Sequence, residues 1–455
     1  MEEGNCGEIV PLAVQPDVNK RIALASRAAY CGVIAAATLA SLQFDADLGR
    51  ALGRLPRAFT PGFTPRDVVD AIRNLALFAG WGALWVVTAR QLQLRVLLRR
   101  VALSGFLLSL AVETAQLFSP IRQTSILDLI NNTVGAVAGA LMVVMMVEIA
   151  GRLRDRKSYF GVPAISFAGA YLCAALFQAA VLTRPQPAVG VYGGPIARFR
   201  EMISRMEWSS IADLSLLDAF LFVPVGVLMV VTLAESGWTH KRAARLATAG
   251  GVMLSLVAEL IRAPLGLELS LGAFIMHSLG VAIGAFSTAT WLPQFSRQVR
   301  GRYRPLAFAV AYILVIAAWS WEPFLLETDI QAILEQLSPQ RFLLLSAHIG
   351  RVDVYSVADI GAAFFLFLPV GGLLAVWPLK RHGWLAHLLP GLYVAVLAEL
   401  SQILIVDRYF GLTDAIVQCA GVAIGWMVIR MAGYQPHGVL LPGKTRRARP
   451  QQAQQ

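Results

Sequence analysis

Long apolar stretches recur along the whole chain and limit what it can fold into. Each is about 20 residues long, the length at which a helix crosses the roughly 30 Å hydrocarbon layer of a bilayer. The composition agrees, since 57% of the 455 residues are hydrophobic and only 15% are charged. We therefore predict an all-α integral membrane protein with about 12 transmembrane helices. The predicted spans cover residues 25–43, 70–89, 101–119, 126–149, 162–183, 213–233, 243–262, 270–292, 305–323, 357–378, 384–405 and 411–431.

Basic residues cluster in every second loop between these spans. Arg95, Arg99 and Arg100 lie in one such loop, and Arg152 and Lys157 lie in the next alternate loop. This distribution follows the positive-inside rule and predicts cytoplasmic N- and C-termini. It also accounts for the formal net charge of +11 without a nucleic-acid ligand. The first twenty residues lack the features of a cleavable signal peptide, so we expect the first span to remain as an anchor.

Two polar motifs with the same internal spacing lie within these apolar surroundings. The first joins the third and fourth spans and contains Glu113, Gln116, Arg122, Asp128, Asn132, Gly135 and Gly139. The second, near the C-terminus, contains Glu399, Gln402, Arg408, Asp414, Gln418, Gly421 and Gly425. Polar and charged residues are costly inside a bilayer, so a repeated set of them predicts either a function or a fixed partner.

A degraded third copy lies between the two. Glu259 stands near the position of the motif glutamate, and His277 replaces the Asn. The Asp position falls on Ala273 or Phe274, depending on where a one-residue gap is placed. The glycine pair recurs as Gly280 and Gly284. The internal repetition therefore extends over the middle of the chain, although the polar part has changed there.

A related helix precedes each copy, and the three copies predict three modules of four spans. Asn74 in the first helix corresponds to Asp218 in the second and to Ala363 in the third. An even number of spans gives every module the same orientation, while a threefold cluster and a row of bundles both remain open. The predicted boundaries are 1–24 for a cytoplasmic tail, 25–150, 161–292 and 303–431 for the modules, and 432–455 for a basic cytoplasmic tail.

The motif gathers its polar side chains at one place. On a helix, Asp128 and Asn132 fall on one narrow stripe, and Glu113 lies on the antiparallel span before them. We expect an outward-facing polar pocket with Arg122 at its rim and Asn74 on a third wall. The small residues on the same stripe are predicted to let neighbouring helices approach closely. These packing residues are Gly135, Gly139, Gly280, Gly284, Gly421 and Gly425.

Two interpretations of the pocket remain open. In the functional one, Arg122 and Arg408 bind a phosphate or carboxylate, while Glu113 and Glu399 accept and release protons. In the structural one, the Glu, Arg and Asp of each motif form an ion-pair lock between helices, with the amide side chains as hydrogen-bonded support.

Other features point to no established chemistry. The sequence contains no recognisable nucleophile set, metal-ligand spacing or cofactor-binding motif, so we predict no metal and no cofactor and leave catalysis undecided. Trp319 and Trp321 near a span end are predicted to mark a membrane interface. The cysteines form no disulfide framework: Cys6, Cys31, Cys173 and Cys419.

The motif resembles that of the VanZ-like family, in which a Glu and a Gln on one helix precede an Arg, an Asp and Asn-x-x-Gly-x-x-x-Gly. The family's upstream Phe-x-Pro-x-Gly is present at 222–226 and 367–371, whereas the first module has Gly80 in place of the proline. The resemblance implies three tandem VanZ-like units in the bacterial inner membrane. It also implies a role at the cell envelope, because the family's namesake is linked to teicoplanin resistance.

Three functions are compatible with these observations. The first is binding of, or action on, an envelope component such as a lipid headgroup, an envelope glycan, a lipid-linked precursor or a glycopeptide antibiotic, from the extracytoplasmic face. The second is proton-coupled transport or lipid flipping through the same carboxylates. The third is a non-catalytic membrane scaffold. Membrane lipids are the expected partners in all three.

Overall fold

The described part of this computed structural model contains fourteen α-helices and no strand beyond one isolated bridge between Leu326 and Ile405. The structure describes residues 20–39, 45, 47–59, 65–89, 93–119, 124–153, 158–160, 163–179, 216–262, 270–299, 303–322, 324–336, 354–376, 384–406, 408 and 410–433. The helices are α1 (Lys20–Leu39), α2 (Leu48–Arg54), α3 (Pro65–Thr88), α4 (Leu94–Leu117), α5 (Ile126–Leu153), α6 (Ala164–Ala179), α7 (Leu216–Glu235), α8 (His240–Arg262), α9 (Leu271–Gln298), α10 (Arg304–Ser320), α11 (Ile330–Gln336), α12 (Val354–Val376), α13 (Trp384–Ser401) and α14 (Leu412–Met431).

Eight of the described helices are long and apolar enough to cross a membrane, by length and composition. They are α1, α5, α7, α8, α9, α12, α13 and α14. Three further apolar stretches are shorter: Asn74–Thr88, Ala164–Gln178 and Arg304–Ser320. The prediction of an all-helical, multi-pass membrane protein is therefore confirmed, while the number of 12 spans stays a prediction.

The long helices form three groups that are consecutive in the chain. The first group contains α1, α3, α4 and α5, the second contains α6 to α9, and the third contains α10, α12, α13 and α14. In each group the second and fourth helices pack most extensively, as α3 with α5, α7 with α9 and α12 with α14. The third helix of each group, α4, α8 or α13, packs against the fourth.

Glycines allow these three helix pairs to approach so closely. A Cβ added to Gly139 would overlap the carbonyl oxygen of Ala79, and one added to Gly82 would overlap that of Ala136. The same reciprocal contacts recur in the other groups. There they involve Gly280, Gly284, Gly421 and Gly425 on the fourth helices, and Gly226 and Gly371 on the second helices. In the first group Gly135 makes a further contact of this kind. Each pair therefore packs backbone against backbone, as small residues permit in a membrane.

A tyrosine fastens the first helix of each group to the second. The hydroxyls of Tyr30, Tyr171 and Tyr312 donate to the carbonyl oxygens of Leu77, Leu221 and Leu366, at 2.9, 2.9 and 2.7 Å. The three tyrosines are evenly spaced along the chain, which extends the internal repetition to the first helices.

Gly80 fits the same picture, because a Cβ at that position would overlap the hydroxyl of Tyr30. In the first group, glycine at this position leaves space for the tyrosine hydroxyl. The other two groups have a proline at the corresponding position.

The third group contacts both of the others. Helix α14 packs against α5 of the first group, and α12 packs against α6 of the second. Aromatic rings lie in the second of these contacts, where Phe177 stacks on Phe365. Nearby, Tyr171 of α6 meets Trp319 of α10 edge to face. The end of α6 therefore lies beside the motif of the third group.

Candidate functional site

The motif glutamate performs the same local task in all three groups. Glu113, Glu259 and Glu399 each accept a hydrogen bond from the backbone N–H of the residue that directly precedes the fourth helix. The donors are Ser125 at 3.1 Å, Ser270 at 2.8 Å and Gly411 at 3.0 Å. The carboxyl groups are buried, with residue exposures of 6, 5 and 1%. Each glutamate thus joins the end of the third helix to the start of the fourth, where a negative group is also favoured by the helix dipole.

The capped residue shows where the one-residue gap of the middle motif lies, because it gives a common position from which all three motifs can be counted. Counted from Ser270, the position of the motif Asp falls on Ala273, and that of the Asn falls on His277. His277 is buried and its ring stacks on Phe222, with centroids 4.0 Å apart. The middle group therefore keeps the cap but has an apolar residue where the other two groups have an aspartate.

In the first group the polar side chains of the motif bond to residues of neighbouring helices. Asn74 on α3 donates to Asp128 at 2.8 Å, and Asn132 donates to Ser109 on α4 at 2.8 Å. Gln116 on α4 donates to the carbonyl oxygen of Thr38 on α1, at 3.3 Å. Arg122, which the sequence places at the rim of this pocket, lies outside the described residues.

In the third group the glutamate is the centre of a small hydrogen-bond network. Besides Gly411, it accepts bonds from the side-chain amides of Gln418 at 2.8 Å and of Gln402 at 3.2 Å. Gln418 is only 4% exposed, and its side-chain oxygen has no hydrogen-bond partner among the described residues. A buried acceptor left without a donor costs about 1–3 kcal/mol, so a donor placed at this oxygen would be stabilising.

Arg408 pairs with a partner that the motif does not contain. Its guanidinium lies 2.8 Å from the carboxylate of Glu322, just beyond the end of α10, and its Nε donates to the Glu322 carbonyl oxygen at 2.8 Å. The ion pair of Arg408 therefore binds α10 to the turn before α14. The ion-pair lock predicted from the sequence contained only the Glu, Arg and Asp of the motif. Glu322 was not among the residues that the sequence pattern indicated.

A cavity of about 180 Å³ lies next to this network. All five polar residues of the third motif line it: Glu399, Gln402, Arg408, Asp414 and Gln418. Ala363 also lines it, and this position corresponds to Asn74 of the first group, whose amide bonds the motif aspartate. The small side chain at 363 thus leaves open the space that an asparagine occupies in the first group.

A model of the VanZ/LLP1 family matches residues 28–147 and 305–433, which together make up more than half of the chain. The chain belongs to the VanZ/LLP1 family. No curated protein and no solved structure matches the chain. The two VanZ/LLP1 regions cover most of the first and third helix groups, including both complete motifs, and the second group lies between them.

The VanZ/LLP1 motif does not account for the whole cavity wall. Gln178, Trp319, Ser320 and Asp359 also line it, and none of them belongs to the motif. Trp319, predicted to mark the membrane interface, also lines this wall. Gln178 and Trp319 each stand seven residues after a repeated tyrosine, Tyr171 or Tyr312, and this regular spacing is the one sequence signal that could have indicated them.

Metal binding has no support in the described part of this VanZ/LLP1 protein. Among those residues, no group of three His, Cys, Asp or Glu side chains is arranged to hold a metal ion.

Proposed function

We propose that this VanZ/LLP1 protein binds the polar headgroup of a bacterial envelope component in the cavity of its third helix group. The observation that carries the proposal is the cavity itself, with the buried Glu399 and Gln418 on one wall and Asp359 and Gln178 on others. A polar cavity among apolar helices excludes lipid chains but suits a headgroup. Such sites, with a few convergent polar groups, are typical of ligand binding.

The size of the cavity narrows the class of ligand. About 180 Å³ is smaller than the roughly 300–1,000 Å³ of pockets that enclose drug-sized molecules. The space is suited to one headgroup, or to one sugar or amine of a larger molecule. A whole glycopeptide antibiotic is too large for it, so an effect on teicoplanin would act through an envelope component.

The proposed architecture is three four-helix modules in parallel, with the site at the extracytoplasmic side of the cytoplasmic membrane. The recurrence of the glutamate cap, the glycine contacts and the tyrosine bond supports the three modules. The alternate clusters of basic residues support cytoplasmic termini, although the structure places Arg99 and Arg100 in the first turns of α4 and not in a loop. The proposed module boundaries are 25–150, 161–292 and 303–431.

A scaffold is the second candidate function, and one specific observation favours it. The motif glutamate caps a helix in all three groups, including the middle group, which lacks the motif aspartate. The glutamate alone therefore supports a structural role, whereas the cavity beside Asp414 supports binding. Proton-coupled transport would require that the bound molecule also crosses the membrane.

The test compares what the protein retains when it is purified from its native membrane. The variants are Asp414→Asn, which removes a charge from the cavity wall, and Asp128→Asn, its counterpart in the first group. Mass spectrometry of extracts is expected to find a molecule that is enriched with wild type and Asp128→Asn and is lost with Asp414→Asn. Equal recovery from all three proteins would contradict the proposal and favour the scaffold.

A further inference from the structure

We propose that Arg27 on α1 and Arg100 on α4 bind the phosphate group of an anionic membrane lipid. This site lies at the end of the first helix group opposite to the motif, which is the cytoplasmic end in the proposed orientation. The inference goes beyond the proposed function, because it concerns another helix group and another end of the molecule. It is carried by an arginine held in a fixed position, by the charges around it and by a comparison of the three groups.

The guanidinium of Arg27 is held in place by α3. Its Nε and Nη2 donate to the hydroxyl of Thr88 at 3.0 and 2.8 Å, and this hydroxyl donates to the carbonyl oxygen of Leu84 at 2.6 Å. The guanidinium carbon also lies 3.7 Å from the ring centroid of Trp85, a cation–π contact. An arginine carries five N–H donors, and the two bonds to Thr88 use only part of them. The group is therefore ordered before it binds, and an anion costs little further side-chain freedom.

A second arginine adds to the positive charge at this place. Arg100 is close enough for its charge to act on that of Arg27. Neither arginine forms an ion pair within the part of the chain that the structure describes. The sequence has no Asp or Glu in α1 and none from 71 to 112, which includes the adjoining ends of α3 and α4.

Two like charges without a counter-ion repel each other, so an anion that contacts both is stabilised. Phosphate is the anion that the guanidinium fork suits best, because it accepts two parallel hydrogen bonds.

The three helix groups differ at the positions of Arg27, Trp85 and Arg100. The repeated tyrosine, the glycine of the second helix and the motif glutamate give the corresponding positions in the other groups. All of these are apolar: Ala168, Met229 and Leu246 in the second group, and Ala309, Leu374 and Ala386 in the third. The same packing of four helices thus forms without the two arginines and the ring. They are not a requirement of the fold, and this favours a ligand.

Exposed apolar side chains beside the arginines indicate a lipid as the source of the phosphate. Leu24 and Leu103 lie within one turn of Arg27 and Arg100, and both are exposed. Each arginine stands roughly 10 Å from the start of its helix, at about 1.5 Å per residue. Long basic side chains at this depth extend along apolar surface towards the headgroups. Basic pockets between transmembrane helices are typical binding sites for the headgroups of anionic lipids.

The test measures which lipid the full-length protein retains from a defined bilayer. Nanodiscs contain equal amounts of phosphatidylglycerol and phosphatidylethanolamine with identical acyl chains, and native mass spectrometry measures the lipid that stays bound. Wild type is expected to retain phosphatidylglycerol over phosphatidylethanolamine by about tenfold, which corresponds to about 1.4 kcal/mol. Arg27→Gln and Arg100→Gln should each lower this preference, and the double variant should abolish it.

The matched control removes the same number of charges from the second group. Lys241→Gln combined with Arg245→Gln changes two exposed residues at the start of α8, the counterpart of α4. This control should keep the wild-type preference, because the second group has apolar residues at the three positions. Melting curves verify that all variants are folded. Arg100 is exposed, so Arg100→Gln remains informative if Arg27→Gln does not fold.

The other outcomes would overturn the inference or its lipid part. A preference that the double variant keeps would overturn the site. An equal loss of preference in the control would also overturn it, since general surface charge would then account for the binding. Inorganic phosphate in excess should not displace the lipid, and displacement would overturn the lipid as the source of the phosphate.

Discussion

The capping bond of the motif glutamate recurs in all three helix groups of this molecule. Each carboxylate accepts the N–H of the residue before a fourth helix, a donor that has no partner inside that helix. The bond forms in the middle group as well, where Ala273 and His277 replace the other polar residues. The glutamate is therefore separable from the rest of the motif, and the proposed function assigns ligand contact to Asp414 and Gln418, which line the cavity.

A capping role predicts that Glu259 matters for stability although its group has lost the motif aspartate. Glu259→Ala leaves the part-buried N–H of Ser270 without its carboxylate acceptor, at a cost of about 1–3 kcal/mol. The variant should lower the melting temperature in detergent by a few degrees, and Glu259→Gln, which keeps an acceptor oxygen, should lower it less.

The matched control is Glu148→Gln, which breaks an exposed ion pair with Arg152. Such pairs contribute little, about 0–1 kcal/mol, so this control should melt like wild type. A Glu259→Ala protein that melts like the control would refute the capping role.

At the scale of the helices, the second and fourth members of each group are held by backbone contact. A Cβ at Gly284 would overlap the carbonyl oxygen of Val223, and the helix α7 cannot move aside without disturbing Gly280 and Gly226. Interfaces of this kind rely on van der Waals packing, because the hydrophobic effect does not drive helices together inside a bilayer.

Gly284→Ala should therefore destabilise the protein, by about 1–3 kcal/mol or more, since overpacking displaces the neighbouring backbone. Gly169→Ala on α6 is the matched control, because a Cβ there meets nothing within 4 Å. In a helix interior alanine is favoured over glycine by up to about 1 kcal/mol, so the control should melt at the wild-type temperature or above it. Equal melting temperatures for the two variants would show that α7 and α9 do not pack as described.

Local sequence patterns predict the helices and indicate the family, but they do not predict the cavity. Apolar stretches of span length predict the helices, and the spacing of the motif indicates the family, which the match at 28–147 and 305–433 confirms. Glu322 and Gln178, in contrast, lie far from Arg408 and Gln418 in the chain, and they meet them only because α6 and α10 pack beside α12 and α13. Contacts between groups depend on surfaces that no short pattern encodes.

At the scale of the whole molecule, the third group differs from the first in having a cavity where the first group has the side chain of Asn74. Asn74 bonds Asp128 and closes the polar stripe of α5, whereas Ala363 lies at the wall of a cavity beside Asp414. The second group supplies Gln178 to the same wall, so the site depends on a contact between two groups. A chain with three related groups thus gains a site that one group alone would lack.

The most direct test of this account is a cryo-electron microscopy map of the full-length protein in nanodiscs made from its native membrane. The account predicts ordered density between Gln418, Asp359 and Trp319 in the wild-type map, with α6 against α12, and its absence in the map of Ala363→Asn. A wild-type map in which α6 is separated from α12, or in which the space beside Gln418 is filled by protein side chains, would contradict it.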